Sequence, residues 1–279
     1  MRMKRYLLGA AIFICGLAVY WLTGSLDAST YKKTTVWIFT YHSVSDDETL
    51  WNNYTISPQE FESDLRYMSE HNFHAVTVED LIAHVGEGKA LPENPIVISF
   101  DDGYRNIYTE VFPLLKKYKT RIVLSLIGEF IDAAENGGAE RTILTWQEAK
   151  EMADSGWVEL ANHSWGLHHD AERSGSSRKK KEPLADYQTV LRNDIGFMQE
   201  SVAKHTGHIP LTFVYPYGAV SKESAPVLKK LGINVTFTIM RGSNTIKPNG
   251  NLNQLFRLLR NNRPHGVSSA EFFQNYLPM

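Results

Sequence analysis

The chain has 279 residues, of which 43% are hydrophobic and 22% are charged, and its formal net charge is −2 at pH 7. This length and apolar content suit one large α/β core, because barrel folds of about 200 to 250 residues commonly form a single domain. The near-neutral charge gives no electrostatic basis for binding nucleic acid, so we expect no nucleic-acid partner.

The N-terminus combines a basic flank with an apolar stretch. Arg2, Lys4 and Arg5 precede residues 6–23, which are uncharged and mostly apolar. This stretch is near the lower limit of the ~17 to 25 residues that cross a bilayer, and no clear Ala-x-Ala cleavage site follows it. Residues 1–24 are therefore predicted to be a signal peptide or a signal anchor, and we favour an uncleaved anchor.

The charge of this flank predicts where the rest of the chain lies. Basic residues beside a membrane segment stay in the cytoplasm, so everything after Gly24 should face outward. We expect residues 25–34 to be a linker and residues 35–279 to be a single, monomeric domain. This domain should lie on the extracellular face of the cell membrane, or be secreted or associated with the cell wall. Because Cys15 is the only cysteine, the domain has no internal disulfide.

Strand and helix patterns alternate along the predicted domain. The predicted strands are residues 35–41, 96–100, 121–126, 158–161, 211–215, 235–239 and 256–259. Capping boxes at residues 57–60, 145–148 and 268–271 indicate helix starts, and Asp186 is predicted to open a further helix. This alternation is typical of a mostly parallel sheet covered by helices, so we predict the α/β class.

Two adjacent carboxylates follow the second predicted strand. Asp101 and Asp102 come directly after an apolar run and precede Gly103. Parallel α/β folds build active sites at the C-terminal ends of their strands. A bound cation would explain two neighbouring acids, one as its ligand and the other kept ionised as a base. The alternative is a turn in which an Asp caps the next helix and the glycine takes a positive φ.

Histidines are concentrated just after the predicted strand 158–161. His163, His168 and His169 fall within seven residues, a density of metal ligands that core packing does not require. Gly166 permits a turn that would bring His163 onto one ion together with either His168 or His169. The residues alone leave that choice open, and one of the histidines is expected to be structural.

The ordered set of motifs resembles the polysaccharide deacetylase family, carbohydrate esterase family 4. The similarity covers residues 35–259, and it rests on Ser-Phe-Asp-Asp-Gly-Tyr at 99–104, the histidine motif and Phe-Val-Tyr-Pro-Tyr-Gly at 213–218. Within the family the chain is most similar to the branch that deacetylates poly-β-1,6-N-acetylglucosamine in biofilm bacteria. Phe-Thr-Tyr-His at 39–42 and the wide histidine spacing resemble that branch.

The resemblance implies a distorted (β/α)7-type barrel and assigns catalytic roles. Asp101 would be the general base, and the backbone N–H of Tyr217 would bind the oxyanion. The late Leu-x-His motif that carries the general acid in most of the family is missing here. The similar branch therefore implies His42 as the acid, and His265 is predicted to be a loop residue.

The resemblance also implies a metal site. Asp102, His163 and His168 would hold one divalent ion, and His168 is preferred to His169 because the similar branch uses the longer spacing. Mixed Asp and His ligands suit Zn²⁺, although Fe, Co, Ni or Mn also fit such a site.

Aromatic residues near the motifs are candidates for binding sugar rings. Tyr104, Trp165 and Tyr215 could stack on a pyranose ring, and each could equally pack in the core. Trp146 opens a capped helix and is predicted to be structural.

The segment of residues 174–182 is polar and basic and has no hydrophobic anchor. This composition predicts a solvated, mobile loop. The alternative is a loop that flanks the substrate groove and meets anionic wall polymer or lipid headgroups.

The predicted function is metal-dependent hydrolytic N-deacetylation of an extracellular poly-β-1,6-N-acetylglucosamine polymer, with release of acetate. The expected partners are this N-acetylated polysaccharide and, through the N-terminal segment, the cell membrane. The nearest alternative is a peptidoglycan or chitin-oligomer deacetylase. An inactive cell-surface carbohydrate-binding module is disfavoured because every catalytic role has a candidate residue. A phosphodiesterase would need a second metal or a basic phosphate clamp, and neither is evident.

Overall fold

The structure is a computed structural model that describes residues 33–138 and 142–276. The predicted signal or anchor segment lies outside the described residues, as does nearly all of the predicted linker. Within the described ranges, no helix is both long enough and apolar enough to cross a membrane.

A mostly parallel sheet forms the centre of the fold. The strands are β1 (Thr34–Tyr41), β2 (Ser43–Val44), β3 (Thr55–Ile56), β4 (His74–Ala75), β5 (Pro95–Phe100), β6 (Ile122–Leu126), β7 (Val158–Asn162), β8 (Thr212–Val214), β9 (Val235–Phe237), β10 (Asn244–Ile246) and β11 (Asn261–Asn262). The main sheet has the order β10-β1-β5-β6-β7-β8-β9, with β4 beside β5 and β11 beside β1. Strand β10 runs antiparallel to β1, and β5 to β9 pair in parallel. Strands β2 and β3 form a separate small sheet.

The last part of the chain connects the two ends of this sheet. Leu258 bridges to Phe237 in β9, and β11 pairs with β1. The sheet is therefore curled, and the predicted distorted (β/α)7-type single-domain barrel is confirmed. The strand predicted at 256–259 is instead an irregular segment. Arg257 has φ 64°, a left-handed conformation that interrupts regular strand pairing there.

Helices connect the strands, and they contribute to the hydrophobic clusters on both faces of the sheet. They are α1 (Pro58–Glu70), α2 (Val78–Glu87), α3 (Phe112–Tyr118), α4 (Gly128–Glu135), α5 (Trp146–Asp154), α6 (Leu184–Thr206), α7 (Ala225–Lys230) and α8 (Ser269–Phe273). Short 3-10 turns lie at Glu48–Leu50, Pro216–Gly218, Lys222–Ser224, Leu252–Leu255 and Gln274–Tyr276, and a π-helical turn lies at Ile107–Val111.

Three of the eight helices in the described ranges begin at the predicted capping signals. The capping boxes of α1 and α5 form as expected, and Ser268 caps α8. The prediction that Asp186 opens a helix is wrong, because α6 begins at Leu184 directly after Pro183. Asp186 lies instead in the first turn, where a negative charge favours the helix dipole.

The two faces of the curled sheet bury different residues. We call the face that carries Val36, Val97, Val123 and Val235 the inner face. These residues, which come from different strands, belong to one hydrophobic cluster. The opposite, outer face packs against residues of α1, α3, α5 and α8, including Phe61. Side chains alternate along a strand with a period of two, so β1, β5, β6 and β7 contribute to both clusters.

Candidate functional site

The inner face becomes polar towards the C-terminal ends of the strands. Counting in steps of two from Val97 places Asp101 on that face, and the same count from Val36 reaches His42. His163 follows β7, whose neighbour on one side is β6 and on the other β8. The parallel sheet therefore brings side chains distant in sequence to one edge.

Asp102, His163 and His168 form a candidate metal site. The Asp102 Oδ1 atom is 3.6 Å from His163 Nε2 and 3.5 Å from His168 Nε2. One donor atom from each residue lies within 4.8 Å of the other two. Ligands placed tetrahedrally about 2.1 Å from one ion are about 3.4 Å apart, so the donor set fits a single cation.

His163 is held in the form that a metal requires. Its Nδ1–H donates to the Val214 carbonyl oxygen at 2.8 Å, which leaves the Nε2 lone pair directed at the candidate site. Burial lowers the pKa of His163 to about 3, although the Asp101 charge opposes this effect. The ring is therefore neutral at physiological pH, the state in which imidazole binds metals.

Helix α6 shapes the histidine loop. The Asn162 amide donates to the Ile195 carbonyl oxygen at 3.0 Å, and its own oxygen accepts from the Ser164 N–H at 2.8 Å. The Asp194 carboxylate accepts from the backbone N–H groups that follow His163 by two and three residues. These contacts fold the chain back after His163, so that a residue five positions later reaches the same point.

The structure brings His168, and not His169, to the candidate metal site. The side chain of His168 is 12% exposed, whereas that of His169 is 59% exposed and lies 2.7 Å from Glu129 Oε1. His265 lies in a loop, as predicted, and its Nδ1 is 2.7 Å from Glu60 Oε2.

Asp101 is buried and paired with an arginine that the sequence analysis missed. Arg260 donates from Nη1 to Oδ1 and from Nη2 to Oδ2, both at 2.8 Å, and Ser125 Oγ donates to Oδ1 at 2.8 Å. Burial by itself raises the pKa of Asp101, but the Arg260 guanidinium outweighs it and holds this pKa well below its usual range. Asp101 is therefore a carboxylate at any physiological pH.

His42 lies beside this pair. Its Nε2 atom is 3.9 Å from Asp101 Oδ2, and its ring meets Tyr54 edge-on with centroids 4.9 Å apart. It lies outside the set of three candidate metal ligands. The predicted base and acid are thus neighbours at the end of β1 and β5.

Tyr217 packs against His168. Their rings are 4.5 Å apart, and the Tyr217 hydroxyl donates to the His168 carbonyl oxygen at 3.1 Å. Tyr217, Asp102 and Ser164 have φ angles of 55°, 73° and 75°. Such left-handed conformations cost non-glycine residues about 1–3 kcal/mol each and concentrate at functional sites, where the surroundings enforce them.

These residues surround one cavity of about 460 Å³. It is lined by His42, Asn52, Tyr54, Thr55, Asp101, Asp102, Tyr104, His163, His168, Tyr215, Tyr217, Ile239 and Arg260. The arrangement offers a cation site, an ionised carboxylate and an imidazole around a space that a substrate group can enter.

Of the three aromatic residues predicted to bind substrate, only Tyr104 remains a candidate for stacking. Trp165 is outside the cavity lining, and its ring packs against Phe197 while its N–H donates to Asp132. Tyr215 is 1% exposed, and its hydroxyl is 2.8 Å from Ser224 Oγ, so its ring belongs to the core. Trp146 is buried and structural, as expected.

The basic segment 174–182 is anchored beside the site. Arg173 and Glu182 form an ion pair across its base, and the Ser176 hydroxyl donates to the Ala219 carbonyl oxygen at 3.1 Å. A Cβ atom on Gly175 would lie 2.4 Å from the Pro216 carbonyl oxygen, so the two backbones are in close contact. The structure places this segment against the turn that carries Tyr217. This arrangement is closer to a loop that flanks the site than to a solvated, mobile loop.

Comparison with known proteins identifies the family. Residues 88–236 match the polysaccharide deacetylase family. The chain belongs to this family. The resemblance seen in the sequence is therefore confirmed.

Two relatives and one solved structure are similar over most of the chain. The poly-β-1,6-N-acetyl-D-glucosamine N-deacetylase of Escherichia coli (strain K12) is 28% identical over 260 residues, which cover 85% of this chain and 38% of that protein. The enzyme of the same name from Staphylococcus aureus (strain MSSA476) is 26% identical, over 82% of this chain and 80% of that protein. A de-N-acetylase from Aggregatibacter actinomycetemcomitans superposes with a TM-score of 0.72 at 25% identity, over 82% of this chain and 95% of that one. The chain thus spans about two fifths of the E. coli relative.

Proposed function

We propose that the chain hydrolyses N-acetyl groups of a β-1,6-linked N-acetylglucosamine polymer and releases acetate. One observation carries the proposal: a candidate cation site, the ionised Asp101 and His42 converge on one cavity. Amide hydrolysis needs an activated water, a stabilised oxyanion and a proton for the leaving amine, and this cavity offers a candidate for each. The polymer is proposed from the names of the two relatives.

Asp102, His163 and His168 would hold one divalent cation. When bound, such a cation supplies positive charge that polarises an amide carbonyl and makes water more acidic. The mixed donor set leads us to propose Zn²⁺, with Fe, Co, Ni or Mn as further candidates.

Asp101 would accept the proton of the attacking water. Its Oδ1 accepts hydrogen bonds from Arg260 and Ser125, whereas among the described residues Oδ2 accepts only from Arg260. Oδ2 therefore has the free capacity to take the proton as the water oxygen bonds to the acetyl carbon. Arg260 fixes the orientation of the carboxylate and keeps it ionised.

His42 would protonate the amine while the carbon–nitrogen bond breaks. Asp101 takes one proton from water, and His42 gives one proton to the amine. The protons balance because His42 regains its proton from Asp101 or from solvent. The products are acetate and a free amino sugar. The Tyr217 N–H would donate to the oxygen that becomes negative, a contact that can strengthen in the transition state.

The proposal is tested by acetate release and metal content in two matched variants. Wild type should release acetate from poly-β-1,6-N-acetylglucosamine faster than from chitin oligomers or peptidoglycan. Asp101→Asn removes the base but leaves all three candidate ligands, so bound metal should persist while turnover falls by about 10² to 10⁴. Asp102→Asn should lose metal and activity together.

Other outcomes contradict this division of roles. Equal loss of metal in both variants would make Asp101 a ligand, and preference for another polymer would replace the proposed substrate. No acetate from any of the polymers would indicate a carbohydrate-binding protein.

We also propose that the domain acts outside the cytoplasm, attached to the membrane by residues 1–24. The support is the basic and apolar composition of that segment. Protease added to intact cells with permeabilised walls should degrade the domain. Full protection, with degradation only after lysis, would place the domain in the cytoplasm.

A further inference from the structure

The segment that joins the two candidate histidine ligands has no regular secondary structure. We call residues 163–168 the histidine loop; it follows β7 directly, and Ser164 in it has φ 75°. Holding an irregular backbone in one conformation costs conformational entropy. His163 and His168 therefore converge on one point only if other parts of the protein hold the loop.

Helix α4 holds one side of the histidine loop. The Gly128 N–H donates to the Ser164 carbonyl oxygen at 3.2 Å. The Glu129 N–H donates to the Trp165 carbonyl oxygen at 3.0 Å. The first N–H groups of a helix have no partner within the helix, so they are available for such contacts. Glycine is needed at this helix start, because a Cβ atom on Gly128 would lie 2.4 Å from the Trp165 ring.

The carboxylate of Asp194 holds the other side of the histidine loop. The Trp165 N–H donates to Asp194 Oδ1 at 3.0 Å, and the Gly166 N–H donates to Oδ2 at 2.8 Å. Asp194 lies inside α6, a helix of 23 residues, so its backbone position is fixed. Trp165 thus has both its N–H and its carbonyl oxygen bound by groups outside the loop.

The surroundings of Asp194 do not favour a negative charge. The residue is half-buried, and it has no ion-pair partner in the described part of the chain. Burial raises the pKa of Asp194, and the charge of Glu129 adds to this effect. A Cβ atom on Gly166 would lie 3.3 Å from Glu129 Oε2 and 3.6 Å from Asp194 Oδ2, so the loop passes between two carboxylates. The two backbone hydrogen bonds are what the Asp194 carboxylate contributes at this position.

We propose that Asp194 is a positioning residue for the candidate metal site, and that it raises metal affinity by holding His168 in place. This inference rests on the proposed function, because it assumes that Asp102, His163 and His168 bind a cation. Asp194 lies outside this set of ligands and acts through the loop that precedes His168. Groups that orient metal ligands typically change metal affinity 10- to 100-fold.

One substitution and a matched control on the full-length, metal-stripped protein test the proposal. Asp194→Asn keeps the size of the side chain but turns an N–H₂ group towards one of the two loop N–H groups, so one hydrogen bond is lost. Asp186→Asn makes the same chemical change on the same helix at an exposed position. The probe is Zn²⁺ alone, measured by competition with a chromophoric chelator. Asp194→Asn should raise the Kd for Zn²⁺ about 10- to 100-fold, and Asp186→Asn should keep it within twofold.

A double-mutant cycle with His168→Ala shows whether Asp194 acts through His168. Without the imidazole, a well-held loop no longer helps the metal, so Asp194→Asn should change Kd less than twofold in the His168→Ala background. Asp102 and His163 remain in these variants, and their weaker binding is measured at higher Zn²⁺ concentrations. A loss by the same factor in both backgrounds would overturn the proposal, because it would indicate a general effect of charge or folding. An Asp194→Asn variant with the Kd of wild type would overturn it too.

Gly128→Ala disturbs the histidine loop from its other side, and it keeps the proposal testable if Asp194→Asn does not fold. The added Cβ atom displaces the Trp165 ring, so this variant should also weaken Zn²⁺ binding, and again less so in the His168→Ala background. Unchanged Zn²⁺ binding in a folded Gly128→Ala variant would show that the conformation of the loop does not set metal affinity.

Metal binding separates the failure of this inference from the failure of the proposed function, because it needs no substrate. A wild type that binds neither Zn²⁺ nor Co²⁺ would remove the metal from the proposed function and the role of Asp194 with it. If wild type and Asp194→Asn bind Zn²⁺ equally, the inference fails and the proposed function stands. If Asp194→Asn binds more weakly but wild type releases no acetate, the inference stands and the proposed function fails.

Discussion

Arg260 and Arg263 form two similar buried ion pairs, and of the two arginines only Arg260 lines the cavity of the candidate site. Arg260 binds Asp101 through two hydrogen bonds, and Arg263 binds Asp64 through Nε at 2.9 Å and Nη2 at 3.1 Å. Removing one partner of a buried pair typically costs about 3–5 kcal/mol. Substituting each arginine in turn therefore separates the effect of such a pair on stability from its effect on catalysis.

We predict that Arg260→Lys changes the pH dependence of activity, whereas Arg263→Lys changes stability alone. Lysine cannot reproduce the paired hydrogen bonds of arginine, so the pKa of Asp101 should rise. The acidic limb of the kcat/KM profile should then move to higher pH, with the largest loss of activity below pH 6. Both variants should lower the melting temperature. Profiles of the same shape in both variants would contradict the role assigned to Arg260.

The sequence predicted those site residues that directly follow strands. Asp101 and Asp102 follow β5, and His163 follows β7, so the parallel sheet determines that they meet. Arg260 lies 159 residues after its partner, on an irregular segment, and no local pattern identifies it. The sequence interpretation left Tyr215 open between sugar stacking and core packing, although a local signal favours the core. Val214 belongs to the inner cluster, so its neighbour has to point to the other face.

At the level of elements, the basic segment 174–182 supports the turn that carries Tyr217. Ser176 is fully buried, its hydroxyl donates to Ala219, and its carbonyl oxygen accepts from the Tyr187 hydroxyl at 2.9 Å. The polar, basic composition of this segment predicts a mobile loop. Composition alone does not show that the acidic Glu182 forms an ion pair with Arg173 and closes the loop.

We predict that Glu182→Gln loosens this segment and that Glu172→Gln does not. Glu182 pairs with Arg173 at partly buried positions, whereas the Glu172 side chain is 90% exposed and pairs with Lys179 at 2.9 Å. Exposed ion pairs contribute little to stability. Limited trypsin digestion should cut Glu182→Gln faster than wild type at residues 178–181, and kcat should fall because the Tyr217 turn loses support. Equal cutting rates in the two variants would show that the ion pair does not hold the loop.

Strand positions were easier to predict than helix starts or the irregular end of the barrel. Apolar runs locate β1, β5, β6 and β7 to within a residue or two, because both faces of these strands are buried. Strand β11 has only two residues, Asn261 and Asn262. The pairing of β11 with β1 depends on the closure of the barrel, which a local sequence pattern does not predict.

Over the whole molecule, the candidate site and a buried carboxyl group with a raised pKa lie at opposite ends of the strands. His163 follows the C-terminal end of β7, whereas Glu159 lies near its N-terminal end. The Glu159 carboxylate accepts from the Val78 N–H at 2.7 Å, at the start of α2. Burial raises the pKa of Glu159 to about 7, and the charges of Glu79 and Asp80 add to this effect.

The raised pKa of Glu159 determines the direction in which protein stability changes with pH. Because the folded pKa of about 7 exceeds the ordinary value of 4.5, Glu159 binds a proton more tightly in the folded state. Its contribution to stability is therefore complete below about pH 4.5 and is lost as pH rises through 7. His163 acts in the other direction, since its lowered pKa makes stability fall as pH drops below about 6.5.

We therefore predict that Glu159→Gln stabilises the protein at alkaline pH and has little effect at pH 5. Gln keeps an oxygen that can accept from the Val78 N–H but never acquires the charge that burial and Glu79 disfavour. The full shift corresponds to about 3 kcal/mol, and we expect about 1–2 kcal/mol at pH 8.5 because the side chain keeps part of its solvent contact. Urea unfolding of wild type and variant at pH 5, 7 and 8.5 measures the difference. Since His163 is neutral in both states above pH 7.5, a constant difference across this range would show that Glu159 does not titrate near 7. A difference that grows with pH would assign the alkaline loss of stability to this one carboxyl group, at the end of β7 opposite the candidate site.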